Sequence, residues 1–479
     1  MKFLRVIPVF IMVLACAWTD GARAQYYPAP WDSADAIVAR VKPPVFKKRT
    51  ISILRFGARS GGVVDCSQAF EEAIVACSSG GGGRVLVPRG IFRTGPIRLR
   101  SGVDLHVEQG AVIRFDPDPG KYLPAVRTRW EGVEVMNYAP LIGAVGASRV
   151  AVTGPGTLDG GASDSTWWPW AGKTEHGWRA GVPHQKADRD TLNAWGQAGI
   201  PLERRVMGRG HYLRPNFIQF TGCRNVLISG VTIVNSPMWV IHPLESSGVL
   251  VRGVTVRSHG PNNDGCDPES CTDVVIHGCT FDTGDDCIAI KSGRNNDGRR
   301  MHIPSTSIVV QQCTFQDGHG GITIGSEISG NVRGVYARRC DVESPVLYSA
   351  LRLKNNAARG GTIEHVYLKD IAVRLVARAA IDIDLFYEEG RNGSFLPTVR
   401  SIAVERMTVA SCERAFNLVG YDDAPIRSIR LTDCTFDGVK QDPAVKHVEG
   451  FEAQRTLING KPFMPPGGSA VPDSAATVH

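Results

Sequence analysis

A nine-residue unit recurs between residues 225 and 436, and few chain folds can accommodate it. Copies open at Asn225, Gly248, Asp273, Ser307, Gly334, His365, Ser401 and Ser428, and Arg149-Val-Ala-Val152 begins an earlier, degenerate one. Apolar residues fall at positions two, four, seven and nine, with few exceptions. A spacing of two is strand alternation. The step of three between positions four and seven breaks the phase, so two short strands meet at a corner, often near a glycine such as Gly230, Gly253 or Gly278. The second positions run Val226, Val249, Val274, Ile308, Val335, Val366, Ile402 and Ile429, separated by 23, 25, 34, 27, 31, 36 and 27 residues. Those are coil lengths of an all-β solenoid, a single-stranded parallel β-helix with loops of variable size. The 479-residue length then does not require two or three separate cores.

An open first coil needs covering. Ser67 to Cys77 is the best helix candidate, with Ala69, Phe70, Ala73, Ile74 and Cys77 on one face, and is read as a short N-terminal capping helix. Gly80 to Gly83 ends it; with no Gly-Lys-Ser/Thr following, this is not a phosphate loop. The β-helix domain is expected over 50–455, after a lead segment at 25–49 and before a flexible tail at 456–479. Residues 159–214 interrupt the repeat with Trp167, Trp168, Trp170, Trp178 and Trp195 and with Arg204, Arg205, Arg209 and Arg214. Either this insertion presents aromatics and cations to a sugar, or its tryptophans pack as a cover.

Lys2 and Arg5, the apolar run Val6 to Trp18 and Ala22-Arg23-Ala24 read as an export signal over 1–24. A lipid-attachment site at Cys16 is the alternative. The apolar run is too short for a membrane span, so none is expected. Removing the signal takes away three bases and one acid and lowers the net charge from +7 to +5. That suits a polyanionic ligand without requiring one, and no dense basic run suggests nucleic acid. Eleven of the 12 cysteines remain, so at least one is unpaired. Cys279, Cys313, Cys340 and Cys434 share position seven and read as buried thiols. Cys266 and Cys271 lack a second zinc half-site.

Four short motifs follow the strand ends of successive coils: Asn262-Asn263-Asp264, Gly284-Asp285-Asp286-Cys287, Gly318-His319-Gly320 and Arg352-Leu353-Lys354. Stacked coils lie about 4.8 Å apart, so equivalent positions converge into one column. Three carboxylates held together cannot all ionise freely, and a raised carboxyl is what general acid catalysis needs. Cations beside them suit an acidic sugar chain. Each motif alone is more often a solvated turn; the alignment favours a site.

These motifs, the repeat and Val85-Leu-Val-Pro-Arg-Gly90 resemble the polygalacturonases of glycoside hydrolase family 28, of bacterial type, over most of residues 50–440. The resemblance implies a right-handed β-helix and an enzyme that cleaves α-1,4-galacturonosidic bonds of polygalacturonate or pectin with inversion. Asp285 then matches the general acid, Asp264 and Asp286 the residues that activate water, and His319 the support of the acid. Arg352 and Lys354 match the pair that binds a galacturonate carboxylate, Tyr387 matches a tyrosine beyond it, and Asn262 is assigned to substrate binding. Inverting enzymes usually hold acid and base about 6.5–9.5 Å apart. Asn263 stands where threonine is common. Fungal relatives bond the cysteine after the Asp pair to one four residues before the histidine; Phe315 is there instead, which leaves Cys287 a free buried thiol or one with another partner. No cofactor and no metal are implied. The partner is an acidic polysaccharide or oligogalacturonide, and the chain is expected to act as a monomer. The 159–214 insertion could block one end of the groove and favour exo attack. The alternatives are a hydrolase of another pectin backbone, rhamnogalacturonan or xylogalacturonan, or a non-catalytic β-helix that binds glycans.

Overall fold

The computed structural model describes residues 31–466, so the expected export signal and Cys16 lie outside the described residues. The chain winds into a right-handed parallel β-helix. All eight second positions pair in one ladder, Val226–Val249–Val274–Ile308–Val335–Val366–Ile402–Ile429, and Val150 joins ahead of Val226. Every one is buried, and their shared inner face makes the core that runs the length of the molecule.

The phase break is a backbone corner. Position one has φ between 52° at Arg149 and 68° at Gly334 in every copy, and in the eight full copies position six lies between 49° at Arg406 and 81° at Gly230. Glycine takes this left-handed conformation freely, yet Asp273, Gln312, Arg339 and Arg406 adopt it too. The cost of about 1–2 kcal/mol at each such residue is outweighed by burying two strands per coil. The position-seven thiols Cys279, Cys313, Cys340 and Cys434 are buried, and all eleven described cysteines are free, Cys287 among them.

A third face carries the short strands Ile97–Arg98, Ile142–Val145, Ile218–Thr221 and Ile241–Leu244, continued through Cys266 to Ile288–Ile290, Gly320–Ile324, Ser349–Lys354, Ala379–Asp384 and Arg414–Val419. Nearly all the motif residues lie on or beside this last run.

The capping helix forms over Ser67–Ser79 with its five anticipated residues buried. A helix ahead of it, in the lead segment, escaped the sequence reading. We label these helices α1 (Trp31–Arg40) and α2 (Ser67–Ser79). Helix α1 lays Ala34 and Ile37, with Val41 just beyond it, on Leu227, Leu250, Val275, Val309, Tyr336 and Tyr367. These six all stand at position three, which alternation points outward; a run of apolar outward residues needs a cover. Arg40–Asp273 at 2.6 Å and Arg338–Asp35 at 2.7 Å pin it.

The expected tail is corrected at its start. Leu457–Ile458 and Lys461–Pro462 pair antiparallel over the last coil, and Phe463 packs on Phe416 and Phe451. These aromatic edges close the C-terminal end as α2 closes the N-terminal one.

The insertion and an earlier hairpin form one wall. Val126–Trp130 and Val133–Asn137 pair across a two-residue turn, Glu131 (φ 41°) and Gly132 (φ 80°), the left-handed pair that suits a tight hairpin. Helix α3 (Lys186–Ala198) packs on this hairpin, and Trp130, Val133, Val135, Leu192, Met207, Leu213, Met238 and Trp239 bury one another. Trp167 is buried and Trp168 and Trp170 pack against the main core, so these three serve as cover. Arg205 makes a buried 2.9 Å pair with Asp297 of helix α4 (Asn295–Met301).

Candidate active site

Asp285 and Asp286 immediately precede the strand Ile288–Ile290, and His319 immediately precedes Gly320–Ile324. Ile288 pairs with Ile322, so Asp285 and His319 stand level on adjacent coils. His319 Nδ1 lies 2.9 Å from Asp285 Oδ1, and the His319 backbone N–H donates to the Asp285 carbonyl at 3.1 Å. Asp264 lies one coil earlier, before the bridge of Cys266 to Ile288. Asp264, Asp285 and Asp286 each offer an oxygen within 4.8 Å of the other two. That is closer than the separation usual for inverting enzymes. Two of the acids are sequence neighbours and the third lies one coil away, which brings them close.

Alternation alone would send Asp285 and Asp286 to opposite faces. The chain bends instead at Gly284, where an added Cβ would lie 2.5 Å from the Gly260 carbonyl oxygen. Asp286 is fully buried; it accepts from Thr323 Oγ1 at 3.0 Å and from Lys354 Nζ at 2.6 Å. Arg352 reaches only 3.6 Å from Asp286 and 3.9 Å from Asp382. Its fork therefore keeps donors for an incoming carboxylate, whereas Lys354 is committed to Asp286. Tyr387 lies 5.2 Å from the Lys354 ammonium and 5.7 Å from the Arg352 guanidinium, measured at its ring. Asn262 gives its carbonyl to Arg214 Nη2 at 2.7 Å. Arg214 is itself fully buried and also donates to the carbonyls of Pro237 and Pro261. Asn263 is buried, accepts from Ser258 and Gly260, and donates to the carbonyls of Ser236 and Met238, more bonds than a threonine could make.

Sequence reasoning missed a second layer. Lys291 Nζ lies 3.5 Å from Asp264, 3.7 Å from Asp267 and 3.1 Å from Glu327, with the Trp239 ring 4.4 Å away. Its signal was a lone cation ending the apolar run Cys287-Ile-Ala-Ile290. Asp267 is fully buried and neither oxygen accepts a hydrogen bond from a protein donor. Burial, then the neighbouring Asp264, pushes Asp267 well above the usual carboxylate range, so it holds its proton.

The catalytic carboxyls are pushed apart. Burial and the charge on Asp285 raise Asp264 to about 7, against the pull of Lys291. Burial also pushes Asp285 up, but the His319 hydrogen bond and charge, with Lys354 and Lys291, outweigh it and hold Asp285 below the usual range. His319 is drawn down by burial and raised further by Asp285, for a net rise. Asp264 and Asp285 therefore retain one proton between them close to neutral pH, which belongs to the coupled pair rather than to one residue.

The hairpin walls the face on its N-terminal side. Toward the N-terminus, His242 and Glu269 are fully buried under the hairpin. Arg129 of the hairpin bonds Glu269 at 3.1 Å, and His242 donates Nε2–H to the other Glu269 oxygen at 2.9 Å, its Nδ1 accepting from Asn216 and Gln219. Severing such a buried pair costs about 3–5 kcal/mol, so the wall is fixed. The turn tip presses on Arg294 and Glu327, the latter a partner of Lys291. Toward the C-terminus, Tyr348 and Asp382 are partly open and Arg378 is exposed.

Three carboxylates, an imidazole and a guanidinium with donors to spare, beside the hairpin wall, define an acid–base site suited to an anionic chain molecule. The chain belongs to glycosyl hydrolases family 28, whose family model matches residues 190–454, and is a glycoside hydrolase. The crystal structure of a hyperthermoactive exopolygalacturonase from Thermotoga maritima is 43% identical, with a TM-score of 0.88 over 91% of this chain and 97% of that one. A "Probable polygalacturonase" of Vitis vinifera is 26% identical over 81% of this chain and 74% of its own length. An exo-poly-alpha-D-galacturonosidase of Dickeya chrysanthemi is also 26% identical, over 72% of this chain and 58% of its own.

Proposed function

We propose that this chain hydrolyses the α-1,4-galacturonosidic bonds of polygalacturonate or pectin from one chain end, with inversion. The observation that carries the reading is the position of the acids, against the wall that closes one end of the groove. A polymer end enters from the open side, and the sugar between wall and acids is released. The exo activity of the Thermotoga maritima relative supports this.

Asp285 serves as the general acid. The shared proton sits on the Asp264 side of the empty site and moves to Asp285 as the glycosidic oxygen arrives. Asp264 and Asp286 then face the water they activate. His319 holds Asp285 by its 2.9 Å hydrogen bond. Arg352 takes a substrate carboxylate, with Tyr387, Lys354 and Asn262 around the ring. Export through the 1–24 signal and a monomeric state complete the proposal. Among the described residues no helix is long and apolar enough to cross a membrane.

A time course on polygalacturonate tests the reading. Reducing ends without ultraviolet absorbance distinguish hydrolysis from elimination. Monomer or dimer from the first minutes, with viscosity nearly unchanged, is the expected result; an early viscosity drop with mixed oligomers refutes exo attack. No reaction would move the substrate to rhamnogalacturonan or xylogalacturonan. The close carboxylates would also suit retention, so the anomer first formed, read by proton NMR, decides the stereochemistry: the inverted β-anomer is expected and an initial α-anomer refutes inversion.

A further inference from the structure

The column that begins with Asp285 and His319 does not end there. Gly320 pairs with Ser349 and Leu351 with Ile381, which sets Tyr348 level with His319 and Arg378 level with Tyr348 on the next two coils. The Tyr348 ring stacks on the His319 imidazole, centroids 4.6 Å apart and planes at 9°. The Arg378 guanidinium lies over the same ring at 3.9 Å, and its backbone N–H donates to the Tyr348 carbonyl at 3.0 Å. Arg352 approaches that ring at 5.9 Å. Tyr348 thus sits between the imidazole on the general acid and two guanidiniums.

Arg378 differs from several arginines on the other large sheet of the β-helix. Arg400, Arg406 and Arg427 each meet an acid at 2.9 Å or closer. Arg378 makes no ion pair among the described residues; Glu413, next in the column, accepts instead from Gln441. Stacking on tyrosine orients the guanidinium plane while leaving its N–H donors in the exposed, open arm of the groove.

We propose that Tyr348 and Arg378 form a further subsite, in which Arg378 takes the carboxylate of the uronic acid residue one sugar beyond the one held by Arg352. The inference rests on the reading of the chain as a galacturonan hydrolase. Arg378 lies one coil beyond Arg352, and the two guanidiniums flank the Tyr348 ring at 3.9 and 5.9 Å, less than 10 Å from each other and within reach of carboxylates on neighbouring sugars. With one sugar against the wall and one at Arg352, digalacturonate ends short of Arg378 and trigalacturonate reaches it.

The experiment measures kcat/KM on di- and trigalacturonate for the wild type, for Arg378→Gln, and for trigalacturonate methyl-esterified at its reducing-end carboxyl. In Arg378→Gln the ratio of tri- to digalacturonate should fall about five- to tenfold, through KM rather than kcat. The ester should cost the wild type a similar factor and cost the variant little more. An unchanged ratio, or an ester penalty that persists in full in the variant, overturns the subsite alone. A wild type active on neither oligomer overturns the galacturonan reading and the subsite with it. Arg378→Lys guards against a folding artefact: it keeps the charge without the planar fork, and should recover part of the ratio.

Discussion

Replacing Lys291 by Met should move the alkaline limb of the pH–rate profile upward. The ammonium stands 3.5 Å from Asp264, with both groups nearly buried. At an effective dielectric constant of about 20, a unit charge at that distance is worth about 4–5 kcal/mol. At about 1.36 kcal/mol per pKa unit, that is roughly three and a half units at most. Lys354 remains and offsets part of the loss, so a rise of one to three units is expected. The sign follows from charge: Lys291 pulls Asp264 down toward about 7 against burial and Asp285, and without it the carboxyl group holds its proton more tightly. The general acid depends on that shared proton, so activity on the alkaline side should persist to higher pH. The assay is reducing-end release from trigalacturonate, as kcat/KM, from about pH 4 to about pH 10. Removing Lys291 also leaves Glu327 short of a buried partner and should cost about 3–5 kcal/mol of stability, so thermal melts at each pH define the usable range. Lys291→Arg preserves the charge and should keep the limb within about half a unit. An alkaline limb that stays put or moves down in Lys291→Met refutes the reasoning, since lost stability lowers rates without moving a limb upward.

Three further outcomes follow from the same geometry. Asp285→Asn should reduce kcat about a thousandfold or more while oligogalacturonide affinity by calorimetry stays within about threefold; lost affinity would assign Asp285 to binding instead. Asp267→Asn exchanges one neutral buried group for another and should change stability in denaturant melts by less than about 1 kcal/mol, whereas a loss of several kcal/mol would mean that Asp267 is ionised. Gly132→Ala should destabilise by about 2 kcal/mol or more, because φ is 80° and a Cβ would stand 2.8 Å from the Arg294 backbone nitrogen; a variant as stable as the parent would mean that the turn tip is not pressed against α4.

Much of the fold was legible because a solenoid repeats its instructions. The alternation and the phase break of each unit pointed to the eight-residue ladder and its corners, and to a cap at Ser67. The motif column was legible for the same reason, since coil register converts sequence spacing into proximity. What escaped was what the repeat does not encode. The hairpin at 126–137 lies outside the copies, and its role depends on contacts with α3 and Arg294 that are far away in sequence. Helix α1 was signalled only by apolar residues at the outward third position, which alternation had assigned to solvent. Lys291 is a single cation ending an apolar run, and Asp267 is one acid among several polar neighbours. A single sequence gives no partner for them, and their meaning rests on three distances measured from one ammonium.

The wall at the hairpin also dictates an order of departure. On the exo reading, the released sugar is enclosed between the wall and the remaining polymer, with the polymer on the side away from the wall. The longer product must withdraw before the shorter one can escape. An enzyme built this way has no means of threading its substrate forward while the small product leaves behind it. Each cut therefore ends an encounter, and the shortening of a population of chains should be shared among all of them rather than completed on one at a time.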